Sequence, residues 1–267
     1  LFAVISCLSS SFIDPSNVKN LLRQVSINAL ISFGMTFVIL TGGIDLSVGS
    51  ILALSSVLMG SFIKSGNNPI VGIVLACLMG AVLGAVNGLV ITKGKVAPFI
   101  ATLATMTIFR GLTLVYTNGN PISSLTESEL FHGFGQGYFM GLPVPAIMML
   151  LMFAVSYFIL HKTTLGRKTY AVGGNEKVSF IAGIKIDRIK IFAYTITGFL
   201  CGMAGAILTS RLNSAQPTAG TGYELDAIAA VVLGGTSLSG GKGRIVGTII
   251  GALIIGTLNN GLNILNV

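Results

Sequence analysis

The stretch Arg23-QVSINALISFGMTFVILTGGIDLSVGSILALSSVLMGSFI-Lys64 decides how this chain folds. Forty residues separate the two cations, and Asp45 is the only charge among them. About 20 apolar residues cross the hydrocarbon of a bilayer. The stretch therefore holds two spans, parted by the paired glycines Gly42 and Gly43 just ahead of the carboxylate. Asp45 is either an ion site inside a membrane or the cap of the helix that starts there.

Composition extends this reading to the whole chain. Of 267 residues, 52% are hydrophobic and only 9% charged, against about 25% charged in a soluble domain. The mean hydropathy is +0.88. So little polar surface cannot cover a water-soluble globule, and the chain is expected to live in a lipid bilayer. Alternation with a period of two is absent, so the spans are helices and not the strands of a barrel. The net charge of +8 sits in loops between apolar runs, which argues against a nucleic-acid surface. Cys7, Cys77 and Cys201 each lie in an apolar run without pairing or metal spacing, as packed thiols do. No basic segment precedes the first apolar run, and the sequence stops while still apolar, so truncation at both ends is expected.

The expected fold is an all-α, polytopic transmembrane bundle forming one domain over 1–267. Spans are placed at 1–13, 20–41, 45–63, 69–92, 97–117, 144–161, 189–211, 224–239 and 245–265, nine in view. Alternating the loops between sides sorts the cations. Eleven, between Lys93 and Arg244, fall on one side, while Lys19, Arg23, Lys64 and Arg211 fall on the other; Arg110 stays within a span. Positive loops remain in the cytoplasm, which puts 162–190 inside and Asn118–Pro143 outside. The outer loop is expected to carry a short helix, with His132 as a surface histidine and not a metal ligand.

Gly42-Gly-Ile-Asp-Leu-Ser-Val-Gly49 has an echo in Gly234-Gly-Thr-Ser-Leu-Ser-Gly-Gly241, both fitting GGxxLSxG, which suggests an internal duplication. Ser237 then stands where Asp45 does. Both side chains can cap a helix, but only one can ligate a cation as a carboxylate, which favours the cap. Gly80, Gly84 and Gly88, Gly198 with Gly202, and Gly247 with Gly251 mark faces where helices approach closely. Asp45, Ser47, Asn87, Asn259, Asn260 and Asn263 are candidates for a translocation path that passes a neutral polyol along hydroxyls and amides; Asn28 shares their apolar setting, and hydrogen bonding between helices is the alternative. No Walker sequence, HExxH, GxSxG or catalytic carboxylate pair occurs, so no catalytic or metal residue is assigned. In 162–190, a break at Gly173-Gly174 precedes a cap at Asn175, Glu176 in the first turn, a short helix to Ala182 and a stop at Gly183. A capped helix tied to spans at both ends suits docking of a cytoplasmic partner.

These residues carry a resemblance. ILTGGIDLSVGS, KVAPFIATLATM, RGLTLVYTNG, LGRKTYAVGGNEKVSFIAGI, the block from Ser214 to Gly256, and LNNGLN closely resemble permease subunits of bacterial sugar ABC importers, the ribose type above all. The resemblance covers nearly the whole chain. It implies a homodimeric permease in the plasma membrane, a cytoplasmic ATPase that binds ATP and Mg while this chain binds no cofactor, and an extracytoplasmic sugar-binding protein. It also implies a tenth span past Val267. In such importers the region Gly173–Gly183 docks on the ATPase. Of the wider superfamily's E-A-A…G pattern only Glu176 and Gly183 remain, with spacing longer by one. Sugar delivered by the binding protein would meet Gln216, Thr221, Tyr223 and Glu224, placed on outer loops by the topology above. The alternative is an ion-coupled secondary transporter of a small polar solute, with Asp45 as its only strong ion ligand.

Overall fold

Prolines open three of the long helices. In a computed structural model, which describes Ser9 and residues 12–265, α1 (Pro15–Leu40), α3 (Pro69–Lys93) and α4 (Pro98–Thr117) each begin on proline. There its missing N–H costs nothing and its fixed φ suits the helix. Asp14 and Asn68 cap the first two of these, each accepting the backbone N–H two residues on at 2.8 Å. Between them runs α2 (Val48–Lys64). After α4 the chain makes β1 (Ile122–Ser123), α5 (Glu129–Gln136) and a hairpin of β2 (Tyr138–Phe139) with β3 (Leu142–Pro143). The short outer helix expected from sequence is α5. Then follow α6 (Val144–Lys162), α7 (Thr164–Gly174), α8 (Glu176–Ile181) and α9 (Ile186–Leu212). Last come β4 (Ser214–Ala215), α10 (Tyr223–Leu233) and α11 (Ile245–Ile264).

Six of these helices, α1, α3, α4, α6, α9 and α11, are long and apolar enough to cross a membrane, and α2 is a shorter apolar helix of 17 residues. The all-α polytopic bundle is therefore observed. The span placed at 1–13, with Cys7, lies outside the described residues apart from Ser9, Phe12 and Ile13. The span placed at 224–239 is corrected. Its helix stops after 11 residues, at Leu233, about 16 Å at 1.5 Å per residue, or half of a hydrocarbon core of about 30 Å. Gly235, with φ +84°, ends it, and the Thr236 N–H closes back on the Val231 carbonyl. The missing outer half is an irregular segment, residues 213–222. It begins at β4, paired antiparallel with β1 of the outer loop, and sinks into the bundle beside α2.

α1 runs through the middle of the bundle against α6, α9, α10 and α11, and its side chains from Val25 to Leu40 are buried. The tightest seam joins α3 to α9. Gly80 and Gly198 face each other so closely that a methyl on either would strike the other's carbonyl, and Gly84 meets the Tyr194 carbonyl in the same way. Backbone contact of this kind holds helices together in lipid, where apolar side chains gain nothing by leaving the acyl chains. The glycine spacing read from sequence is thus a packing face. Cys77 and Cys201 lie buried along the same seam.

Candidate functional site

Three constructions matter for function. The first surrounds Asp45, which is fully buried. Its Oδ1 accepts the Ser47 backbone N–H at 2.9 Å and the Ser47 hydroxyl at 2.6 Å. Asn87 of α3 donates to the same hydroxyl at 2.7 Å. Tyr194 of α9 and Thr102 of α4 donate to the Ile44 carbonyl at 3.4 and 3.3 Å. Among the described residues, Asp45 Oδ2 and Asn87 Oδ1 have no hydrogen-bond partner. Asp45, Ser47 and Asn87 are therefore brought together as one knot that fixes the turn entering α2. Ser47 occupies the N-cap position of α2 without a side-chain capping bond, and Asp45 organises the turn ahead of it. In the second GGxxLSxG copy, the Ser239 N–H lies 3.3 Å from the Ser237 hydroxyl, the same two-residue turn. There, however, α11 begins only at Ile245, so Ser237 caps no helix.

The second construction is the irregular segment and its half-helix. Arg110, midway along α4, donates from Nη1 to the carbonyls of Pro217 at 2.7 Å and Ala219 at 2.9 Å. An unpaired guanidinium and unpaired carbonyls are each costly at membrane depth, and here each satisfies the other. Gly220, at φ +72°, lies against Gly49 in the first turn of α2. Glu224 Oε1 accepts the Gly222 N–H at 3.3 Å, and Thr221 is exposed. Gln216 donates to the Ser214 hydroxyl of β4 at 3.0 Å. Tyr223 and Glu224 thus lie half-buried in the first turn of α10, with the exposed Thr221 just ahead of them in the irregular segment. One turn into α10, Asp226 Oδ2 accepts from Asn259 at 3.1 Å and from Asn28 at 3.4 Å. Asp226 was missed in the sequence because 224–239 read as one apolar span. Two acids within three residues of its start were the signal against that reading. Asn260 pairs with Asn17 through both amides, at 3.1 and 3.2 Å, which is the interhelical role. Asn263 is exposed and joins neither cluster.

The third construction lies in segment 162–190. Asn175 caps α8 by accepting the Val178 N–H at 3.0 Å, and Gly183, at φ +78°, follows its last turn at Ala182. α8 exposes Val178, Phe180 and Ile181, the last at 84%. Glu176 pairs with Lys190 of α9 at 2.7 Å. The preceding α7, unforeseen in the sequence, runs its Gly173 against the Leu40 carbonyl, where a side chain would not fit. That carbonyl also accepts the Gly241 N–H at 3.0 Å. The end of α1, the end of α7 and the link between α10 and α11 therefore meet at one junction.

Among the described residues, six helices long and apolar enough to cross a membrane, with a half-helix set among them, make the frame of a polytopic membrane protein. The chain belongs to the permease family described as "Branched-chain amino acid transport system / permease component", which matches residues 17–267. It is 67% identical to the ribose import permease protein of Bacillus subtilis, over all of this chain and 83% of the relative. It is 54% identical to that of Escherichia coli strain K12, over all of this chain and 84% of the relative. The D-allose transport system permease protein of the same strain is 41% identical, over all of this chain and 82% of its own length. No solved structure matches the chain. The protein is a multi-pass inner-membrane transport subunit, the permease component of its system and not the ATPase.

Proposed function

We propose that this chain and a second copy of it form the membrane path of an ATP-driven importer that carries ribose into the cytoplasm. The observation that carries this reading is the knob Val178–Phe180–Ile181, held on a capped helix whose approach is wedged against α1 and the α10–α11 link. Apolar side chains this exposed on an aqueous face suit a protein partner, and a cytoplasmic ATPase that binds ATP and Mg is that partner. Segment 162–190, with Gly173, Gly174, Asn175, Glu176, Ala182 and Gly183, is the docking unit of a single permease domain. Movement of α8 is passed at the glycine junction to α1 and to the half-helix. An extracytoplasmic sugar-binding protein delivers ribose at the outer end, near Gln216. Identity to ribose permeases above that to the allose permease supports the pentose. An internal duplication draws support from the shared two-residue turn at Asp45 and Ser237.

The test is ribose uptake into vesicles holding the full-length permease, its ATPase and its binding protein. Uptake that needs ATP inside and binding protein outside is the expected result. Phe180→Ser with Ile181→Ser is expected to lose the ATPase on purification while the permease still folds. One observation favours the ion-coupled alternative: the two buried oxygens of Asp45 and Asn87 that lack donors. Uptake that persists without nucleotide and vanishes without sodium would establish it instead.

A further inference from the structure

We propose that Asp226, Asn28 and Asn259 form a hydroxyl-binding site for the transported monosaccharide, on a face of α10 that lines a water-filled path. The site deepens the reading above and rests on it for the identity of the sugar. Asn28 lies midway along α1, so the cluster sits near the middle of the membrane. Asp226 is partly exposed there, Glu224 is partly exposed in the same turn, and Thr221 just ahead of α10 is exposed. A carboxylate turned toward acyl chains costs about 2.5–3.5 kcal/mol on insertion scales. The lipid-type surface of this molecule looks different: α3 exposes Ile70, Val71, Val74, Leu78 and Val82. α10 also exposes Leu225, Val232 and Leu233, but its first turn sets Glu224 and Asp226 beside them, where the exposed stretch of α3 has no acid, and this acidic turn is the part taken to meet water.

No cation explains Asp226. Among the described residues, the ion pairs are Lys93 with Asp187 and Lys190 with Glu176. Arg110 is held by carbonyls of the irregular segment. Both amide bonds go to one carboxylate oxygen, Oδ2, so Oδ1 is left open. Each amide keeps a second N–H and a carbonyl lone pair. An open carboxylate oxygen beside two amides fits neighbouring sugar hydroxyls, since each hydroxyl can donate to the carboxylate while accepting from an amide. Asp45 cannot play this part, because it is fully buried.

The test uses the assembled importer in vesicles. Leu225, 64% exposed beside Asp226, is changed to cysteine in a chain with Cys7→Ser; Cys77 and Cys201 are buried. A charged, water-soluble thiol reagent is expected to label Leu225→Cys, and ribose to slow the labelling. Separately, Asp226→Asn and Asn259→Ala are expected to cut ribose uptake by about tenfold or more, as loss of hydrogen bonds to a charged group does. ATP hydrolysis stimulated by the binding protein stays within about twofold, because these contacts act on the sugar and not on assembly. An unlabelled cysteine in an active complex would overturn the proposal, as would uptake within twofold of the parent in either variant. If the parent carries another sugar and not ribose, the ribose reading fails. Protection of Leu225→Cys by that other sugar would still uphold the site.

Discussion

Gly173 of α7 meets the carbonyl oxygen of Leu40, the last residue of α1, with no room for a side chain between them. The neighbouring Gly174 has nothing within 4 Å of the place where a Cβ would stand. Two adjacent glycines thus have opposite tolerances. Gly173→Ala is expected to push α7 off α1, at about 1–3 kcal/mol for overpacking, and to abolish coupled uptake. Gly174→Ala is expected to keep the parent's melting temperature, so that any loss of its uptake reports docking and not folding. Thermal unfolding and ATP-driven uptake of the two variants check this.

The pair between Glu176 and Lys190 is partly exposed, with side-chain exposures of 52% and 18%. Pairs of this kind contribute about 0–1 kcal/mol. Glu176→Gln is therefore expected to leave the melting temperature of the permease nearly unchanged. If α8 docks the ATPase, the same variant lowers stimulated ATP hydrolysis. A large fall in melting temperature would instead make Glu176 a structural residue.

Asp45 can be tested by what replaces it. The Ser47 N–H needs an acceptor two residues earlier, and Ser237 shows that a serine hydroxyl can supply one in the related turn. Asp45→Asn and Asp45→Ser are expected to keep uptake within about threefold, while Asp45→Ala leaves buried donors unpaired at about 1–3 kcal/mol. A well-folded Asp45→Asn protein without uptake would show that the charge itself is required.

Arg110 holds two carbonyls of the irregular segment with one nitrogen. Arg110→Met leaves both unpaired at membrane depth, and a destabilisation of about 2–4 kcal/mol is expected. Protease cleavage within 213–222 of the purified permease should rise accordingly.

Much of this architecture was legible because apolar length and breaker residues act locally. Asn68-Pro69 and Ala97-Pro98 put proline where a first helical turn tolerates it best, and Asn175 with Gly183 brackets α8 by equally local logic. Glycine spacing on α3 and α9 exposed their contact face. Hydropathy could not find the half-helix, because Ala227–Leu233 followed by Gly234 is as apolar as a true span. What stops it is a positive φ at Gly235 and a turn closed on Val231. Asp226 was hidden for the same reason, its partners Asn28 and Asn259 lying far away in sequence on α1 and α11. The knot at Asp45 also joins four separate elements, and a linear reading could offer only its candidates.

The half-helix also constrains how the protein is made. With 11 residues, two of them acidic, α10 is too short and too charged to be handed into lipid as a span by itself. Its entry needs Arg110 of α4 in place to receive the 213–222 carbonyls and Gly49 of α2 to receive Gly220. The segment from Asn213 to Leu233 is therefore seated only after α2 and α4 have entered the bilayer.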